Sequence, residues 1–384
     1  MKKLFVFLSC ALSVLSAAAL LSSCERVPQV NSVTTPTGVV TIKLGTGIPE
    51  TKASDTSVRN GTLENKLANV QVLVFGQSDG KLYKYGNYDS VTDGSDDFVM
   101  ELPYGSYNVC AVANLASNAL SNIATKTEFD AYNVLYVSAH EGSSLTQTKL
   151  VQVGTTTLTL SSATASTEVL LRRMVSRVRL KSLKTELPAA YSGKTVTFVR
   201  AFLGNVRGGN ISLAGTRNST VWENPYGRHA IHVNDPTCVV GLHSVTIATP
   251  SVSARSDGPV SLIYAEPNTN IGYNGTLTPN LCFYPWPNSG TVFQNWHGVT
   301  TAPAENANIA TIFVVALRVD DTLYYYPVAL DAGPGLIANE SYDVSMTITN
   351  LGVTTPDQPL VKGSATISVT VADWDEGDEI VETL

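Results

Sequence analysis

Alternating apolar and polar residues recur along most of the chain, and they predict β-strands. The first such run is 39–44, in which Val40, Ile42 and Leu44 fall on one face while Thr41 and Lys43 fall on the other. This is the pattern of a half-buried strand. Two runs late in the chain alternate just as strictly, and their inward residues are Tyr342, Val344, Met346 and Ile348 in one and Ile367, Val369 and Val371 in the other.

Between these runs lie further short segments rich in Val, Thr and aromatic residues, bounded by Gly, Pro, Asn and Asp. They predict strands at 69–75, 81–85, 98–102, 107–114, 145–160, 170–183, 195–202, 239–248, 262–265, 311–319 and 323–330. The best helix candidate is 127–135, where Phe129 and Tyr132 recur at near-helical spacing. Many short strands with turn signals between them indicate an all-β chain of β-sandwiches with few short helices.

The start of the chain has the pattern of an export signal. Lys2 and Lys3 precede an apolar run over 4–20, and Leu21-Ser22-Ser23 then leads to Cys24. A charged end, an apolar stretch and small residues at the cut are typical of a signal peptide. The cysteine at the cut matches the bacterial lipoprotein signal, so we predict removal of 1–23 and lipidation of Cys24. An ordinary signal peptide with a chance cysteine is the alternative.

Length and composition indicate two folded domains behind a tether. The chain has 384 residues, 43% of them hydrophobic and 15% charged, which is typical of a globular protein. We predict a polar spacer at 24–38, an N-terminal β-sandwich domain at 39–170 and a C-terminal one at 171–384. Loss of Lys2 and Lys3 would take the formal charge from −7 to −9. An acidic chain of this kind argues against a nucleic-acid partner.

The sequence offers little for catalysis or for metal binding. It has no Gly-x-Ser-x-Gly and no His-Glu-x-x-His motif, and its five histidines have no spacing that favours a catalytic triad or a metal site. Beyond the signal the cysteines are Cys110, Cys238 and Cys282, an odd and widely spaced set without a Cys-x-x-Cys pair. We therefore predict no enzyme, no metal and no cofactor, and favour buried thiols.

Two segments allow more than one interpretation. The strand 170–183 carries Arg172, Arg173, Arg177, Arg179 and Lys181. They could form an anion-binding strip, a solvated strand face or salt bridges at a domain junction. The run 281–296 carries Phe283, Tyr284, Trp286, Phe293 and Trp296. These rings could form a sugar-stacking platform, or they could pack into the core.

Taken together, several of these segments resemble the lipoprotein-type fimbrillins, which are the subunits of type V pili. The resemblance is carried by the lipoprotein signal at Cys24, the Glu-Thr-Lys-Ala at 50–53 and a series of strand motifs. Those motifs lie at 69–83, 102–117, 172–180, 341–352 and 365–374, and their order and spacing match the family over nearly the whole chain.

The resemblance implies two transthyretin-like Greek-key β-sandwich domains and a specific route of assembly. It implies an outer membrane lipoprotein precursor that becomes part of an extracellular fimbrium. A trypsin-like protease would cut after Arg or Lys near the N-terminus, and a strand from another subunit would replace the strand that leaves. The implied partners are other pilin subunits, this protease, the outer membrane through the lipid, and a host glycan or protein.

From the residues we expect the cut after Arg59, with Lys52 and then Lys66 as alternatives, because Arg59 lies in a polar stretch next to Gly61. The displaced strand would carry Val40, Ile42 and Leu44. The donor strand would lie within 364–384, either at Ile367, Val369 and Val371 or in the last residues after the acidic run. A shaft subunit is the first choice, and a tip adhesin or carbohydrate-binding lipoprotein and an anchor subunit are the alternatives.

Overall fold

A computed structural model describes residues 35–46, 67–91, 96–135, 150–207, 209–216, 222–223, 264–279, 281–291, 308–330, 335–354, 356, 360, 363–373 and 376–377. Nearly all regular structure in these residues is β, which confirms the all-β prediction. Within them, no helix is long and apolar enough to span a membrane. Residues 36–384 form one compact unit.

The strands of the first half include those predicted from alternation or Val-rich runs, together with one at 133–135 and most of one at 164–173, which were not predicted. They are β1 (Thr37–Thr46), β2 (Val70–Gly76), β3 (Leu82–Tyr88), β4 (Phe98–Pro103), β5 (Gly105–Ala113), β6 (Asn133–Leu135), β7 (Gln152–Leu160) and β8 (Thr164–Arg173). Seven of these described strands form a sheet in the order β3-β2-β5-β7-β8-β1-β4.

This sheet folds over itself at β7 and β8, which makes it a sandwich. The two strands pair only at Gln152–Arg173 and Val153–Arg172 and then separate. As a result β3, β2, β5 and β7 face β8, β1 and β4. A cluster of buried side chains lies between the two layers and draws residues from both, as expected when the inner faces of a sandwich interdigitate.

The second half contains two further large sheets, of five and six strands, and its described strands also take part in two two-stranded sheets. Its strands are β9 (Arg177–Thr185), β10 (Val196–Gly204), β11 (Val206–Arg207), β12 (Asn210–Ser212), β13 (Trp222–Glu223), β14 (Tyr264–Ala265), β15 (Thr269–Asn270), β16 (Thr276–Leu277), β17 (Leu281–Phe283), β18 (Ile312–Val319), β19 (Thr322–Ala329), β20 (Glu340–Ile348), β21 (Ala365–Asp373) and β22 (Glu376–Gly377). One sheet has the order β14-β10-β18-β19 and the other the order β16-β9-β20-β21-β22.

A second hydrophobic cluster connects the two halves of the chain. It includes Phe75 and Cys110 from the outward side of β2 and β5, and it continues to Phe198 and Phe313 between the later sheets. Strand β2 is therefore buried on both faces. A strand covered on both sides reads as a continuous apolar run, which explains the Val-rich sequence of 70–75.

The helix expected at 127–135 is shorter than its spacing suggested. Helix α1 covers Lys126–Ala131, and Thr125 caps it in a capping box with Glu128. The chain turns extended at Tyr132, so Val134 lies in β6, which pairs with β12. A 3-10 turn at Ala189–Tyr191 is the other short helical element in the described residues.

The strand expected at 170–183 is in fact two strands. Strand β8 ends at Arg173 and β9 begins at Arg177, and Met174 and Val175 between them are buried. The chain bends here because it leaves the first sandwich and enters a sheet of the second half. The expected domain boundary at 170/171 falls inside β8, and β1 begins at Thr37, so the strand includes the last two residues assigned to the spacer.

Candidate functional site: the groove that holds the first strand

Strand β1 lies in the interior of the first sandwich, between two neighbours. It pairs antiparallel with β4 and parallel with β8. Val40 and Ile42 are 0% exposed and Leu44 is 5% exposed. The three side chains lie on one face of β1, as the alternation predicted, and they fill the space between the two layers of the sandwich.

The groove under β1 is apolar along its length. Its walls come from the inner faces of the neighbouring strands β4 and β8, and its floor comes from β2, β5 and β7 in the opposite layer. The lining residues are Phe98, Met100, Leu102, Val169, Leu171, Val70, Val72, Val74, Val109, Ala111, Leu158 and Leu160. Without β1 this surface would face water, and the backbone groups of two strands would lose their partners.

Backbone hydrogen bonds tie the start of β1 to the turn between β7 and β8 and to the turn between β4 and β5. The Val39 amide donates to the Ala163 carbonyl at 2.9 Å, and the Tyr104 amide donates to the Pro36 carbonyl at 2.8 Å. At the surface, the Thr37 hydroxyl donates to Oε1 of Glu101 at 2.7 Å. The strand is therefore held mainly by its ladders and its buried face.

The outer face of β1 carries little packing. Val39 is 43% exposed, and on the adjacent strands Val99 is 58% and Leu170 is 52% exposed. Lys43 is also exposed. The adhesion of β1 to the sandwich therefore depends on the inner residues, so any strand with apolar side chains at the same spacing could in principle occupy its place.

The proposed donor residues lie in β21. Ile367 is 3% and Val369 is 7% exposed, and both belong to the core between the later sheets. Strand β21 pairs with β20 from Glu340–Asp373 to Ile348–Ala365, and Val371 lies in this ladder opposite Tyr342. On its other side it pairs with β22 only at Ala372 and Asp373 within the described residues.

Several expected site residues lie outside the described residues. They are Cys24, Lys52, Arg59 and Lys66, the five histidines, Cys238, Phe293 and Trp296. The segment that joins β1 to Leu67 spans 47–66, so the expected cleavage sites all fall within it.

The basic residues around β9 are engaged by β20. Arg179 donates through Nε to Oδ1 of Asp343 at 2.7 Å and forms a salt bridge with the same carboxylate. Nε of Arg177 donates to the Ser341 hydroxyl at 2.9 Å, and Nη1 of Arg173 donates to Oδ1 of Asn339 at 3.2 Å. All three arginines are buried, which excludes a solvated face or an open anion-binding strip for them, whereas Arg172 and Lys181 are exposed.

The aromatic run at 281–296 contributes to the core. Phe283, Tyr284 and Trp286 are at most 1% exposed, so these three rings are not available for stacking on a sugar. Phe283 packs against Phe313 with ring centroids 5.9 Å apart. The sequence alone could not separate a platform from a core cluster, because prolines and an Asn-Ser-Gly turn accompany both.

Cys110 and Cys282 are thiols rather than half-cystines. Burial raises the pKa of the Cys110 thiol to about 11, despite a hydroxyl donated by Thr155 at 3.5 Å. A buried thiol of this kind is unreactive. In the part of the chain that the structure describes, no group of three or more His, Cys, Asp or Glu side chains could hold a metal ion.

Sequence reasoning missed one residue of the groove, Gly38. It is buried on the same face of β1 as Val40, Ile42 and Leu44. Gly38 lies two residues before Val40, so the alternation places it on the buried face of the strand, and this position is the available sequence signal. Glycine has no side chain and gives no apolar signal, so the pattern of apolar residues assigns Gly38 to the spacer.

Comparison with known proteins finds a family match over part of the chain. Residues 49–198 match the family described as Fimbrillin-A associated anchor proteins Mfa1 and Mfa2. No curated protein matches the sequence.

Solved structures share the fold over most of the chain. A proposed cell adhesion protein from Bacteroides eggerthii is similar with a TM-score of 0.57 at 19% identity, covering 92% of this chain and 100% of that one. A fimbrilin (FimA) from Porphyromonas gingivalis is similar with a TM-score of 0.57 at 13% identity, covering 90% of this chain and 99% of that one. The chain is therefore similar to fimbrillins: its segment 49–198 matches a fimbrillin-associated family, and its fold is shared with these solved structures over most of its length.

Proposed function

We propose that this fimbrial subunit polymerises by donor-strand exchange, in which β1 is released by proteolysis and a strand of another subunit takes its place. The observation that carries the proposal is the position of β1. It is an interior strand with a fully apolar inner face, and its only covalent link to the strands that follow is the segment 47–66. Strand addition of this kind uses main-chain ladders for affinity and side-chain pockets for specificity.

The precursor would be exported and tethered to the outer membrane through a lipid on Cys24. The connecting segment 47–66 contains three basic residues, Lys52, Arg59 and Lys66. A trypsin-like protease would cut after Arg59, with Lys52 or Lys66 as alternatives. Once the segment is cut, no covalent bond holds β1 in the groove.

The energetics explain why a replacement strand is needed. Burial of Val40, Ile42 and Leu44 contributes about 1.5–3 kcal/mol for each side chain, or roughly 5–9 kcal/mol in all. Removal of β1 also leaves β4 and β8 with unpaired backbone groups along 98–103 and 164–171. Exchange for another apolar strand restores both contributions, and the cut makes the exchange irreversible.

The donor would come from 364–384 of another subunit. One candidate is β21 itself, with Ile367, Val369 and Val371, and the other is the tail after the acidic run. Use of β21 requires that this strand leave its ladder with β20. Deletion of 378–384 distinguishes the two candidate donors, because normal polymers from the shortened chain would show that the tail is not the donor.

Whether β1 is removed or retained determines the position that the subunit can take in the fimbria. A shaft subunit loses β1 and its lipid, whereas an anchor subunit keeps both. The matching family includes proteins described as anchors, which makes the anchor the second candidate. A tip adhesin or carbohydrate-binding lipoprotein, with a host glycan or protein as ligand, is the third.

Limited digestion tests the proposal directly. The purified precursor treated with trypsin should form ladders that resist SDS, and the untreated precursor should stay monomeric. A variant with Lys52, Arg59 and Lys66 replaced by glutamine should stay monomeric in both cases. Complete digestion of the connecting segment without any ladder would contradict the proposal.

A further inference from the structure

Gly38 closes one end of the groove so tightly that no side chain fits there. A Cβ placed on Gly38 would lie 2.5 Å from the Ser162 carbonyl oxygen and 3.1 Å from that of Ala163. Real Cβ atoms do not approach backbone oxygens that closely. Gly38 is buried and in phase with Val40, so the tight point lies on the inner face of β1.

The atoms that surround Gly38 belong to a turn that hydrogen bonds keep in place. They are backbone atoms of the β7–β8 connection, where the Ser162 hydroxyl donates to the Thr164 carbonyl at 2.7 Å. The Val39 amide donates to the Ala163 carbonyl at 2.9 Å and fixes the same turn against β1. We call this tight point, formed by Ser162 and Ala163 opposite Gly38, the notch.

Gly45 provides a contrast on the outer face of the same strand. A Cβ there would meet Oε1 of Glu168 at 2.5 Å and Cδ2 of Leu170 at 2.6 Å. These atoms are the ends of exposed side chains, which can rotate away. The demand for glycine at position 38 is therefore a property of the groove, whereas position 45 can accept a side chain.

We infer that the notch selects the strand that enters the groove and sets its register and direction. The selected strand is 363–371 of a second copy, running in the same direction as β1 with Gly363 at the notch. Ala365, Ile367 and Val369 then occupy the positions of Val40, Ile42 and Leu44. The inference rests on the proposed strand exchange and specifies which strand satisfies it.

Other registers of the same segment fail at the notch. A shift by two residues places Ala365 there in one sense and Val361 in the other, and in both cases the Cβ is the atom that does not fit. In the reverse direction, any register that keeps Ile367 and Val369 inward places Val371 or Asp373 at the notch.

The tail 377–384 fails for a different reason. Each of its two alternate faces contains a glutamate, Glu379 on one and Glu382 on the other. Either face would bury a carboxylate in an apolar groove without a partner, which is strongly unfavourable. The notch and the apolar lining together therefore favour 363–371 over the tail.

Gly363 is also needed in its own domain, where it precedes β21 with a φ of +87°. A substitution there in the full chain would disturb β21 as well as donation, since positive φ disfavours other residues. The test therefore uses synthetic peptides on the full-length protein.

The precursor is cut with trypsin, the trypsin is inhibited, and labelled peptides of residues 361–374 are added, so that Val361 blocks the shifted register. The native peptide should co-elute with the cut protein on size exclusion. A Gly363→Val peptide should bind at least tenfold more weakly. A Ser364→Val peptide is the matched control, because its new side chain falls at the exposed position of Val39, and it should bind like the native peptide.

Equal binding of the Gly363→Val and native peptides would overturn the inference while leaving strand exchange intact. Failure of all three peptides to bind would count against the proposed exchange itself. The thermal stability of the uncut protein also tests the notch. Gly38→Ala should lower Tm by several degrees, and Gly45→Ala should not. Equal Tm values for these two variants would contradict the notch.

Discussion

Ile42 on β1 lies directly opposite Phe98 on β4, and both side chains are buried in the cluster between the two layers of the first sandwich. The first strand therefore contributes to the core of the sandwich, although only the segment 47–66 links it covalently to the strands that follow. If a protease cuts the segment 47–66 as proposed, the core should lose stability until another strand fills the groove.

The Ile42→Ala variant tests how much one inward residue contributes. It should lower the free energy of unfolding of the uncut protein by about 2–5 kcal/mol, because it leaves a cavity at a fully buried site. Thr41→Ala on the outward face is the control and should stay within about 0.5 kcal/mol of the parent. Urea denaturation measures both, and equal losses would contradict the inward packing of β1.

Removal of the Asp343 carboxylate should destabilise the second half. The side chains of Arg179 and Asp343 are 9% and 14% exposed, so Asp343→Ala leaves a buried guanidinium without its counter-charge. The expected loss is about 3–5 kcal/mol. The exposed pair of Lys194 and Asp320 is the control, and Lys194→Ala, which removes that ion pair, should have a much smaller effect. Thermal denaturation that fails to separate the two variants would count against the buried pair.

The raised pKa of Cys110, about 11 in the folded protein, predicts an alkaline loss of stability. The folded state keeps the proton that the unfolded thiol releases at its ordinary pKa of about 8.5. The stabilisation is therefore complete below that value and is lost as pH rises through about 11.

A Cys110→Ala variant should show a smaller drop in Tm than the parent between these two pH values. In the parent at pH 8, Cys110 should react with a thiol reagent only after unfolding. Rapid labelling of Cys110 in the folded protein would contradict its burial.

Much of the fold could be predicted because its strands carry local signals. The strict alternation in 39–44, in 342–348 and in 367–371 corresponds to β1, β20 and β21. The break at Met174–Ser176 could not be predicted, because it depends on where the chain passes between sandwiches. The end of α1 at Ala131 was missed for a related reason, since pairing of β6 with β12 overrides the near-helical spacing after it.

For the candidate site, the sequence predicts the buried apolar residues of β1 but not the neighbours of that strand. The sequence indicated which face of β1 is buried, but the parallel partner β8 begins more than a hundred residues later, and no local pattern encodes that pairing. The notch at Gly38 depends on the path of the β7–β8 turn and has no signal beyond its phase. The engagement of the arginines by Asn339, Ser341 and Asp343 is equally non-local.

The N-terminal sequence of assembled polymers shows whether β1 is removed and replaced. Polymers collected from cells that express the full chain should begin at Asn60, or after Lys52 or Lys66 if an alternative site is used. Polymers whose subunits still begin at Cys24, with β1 in place, would contradict the account.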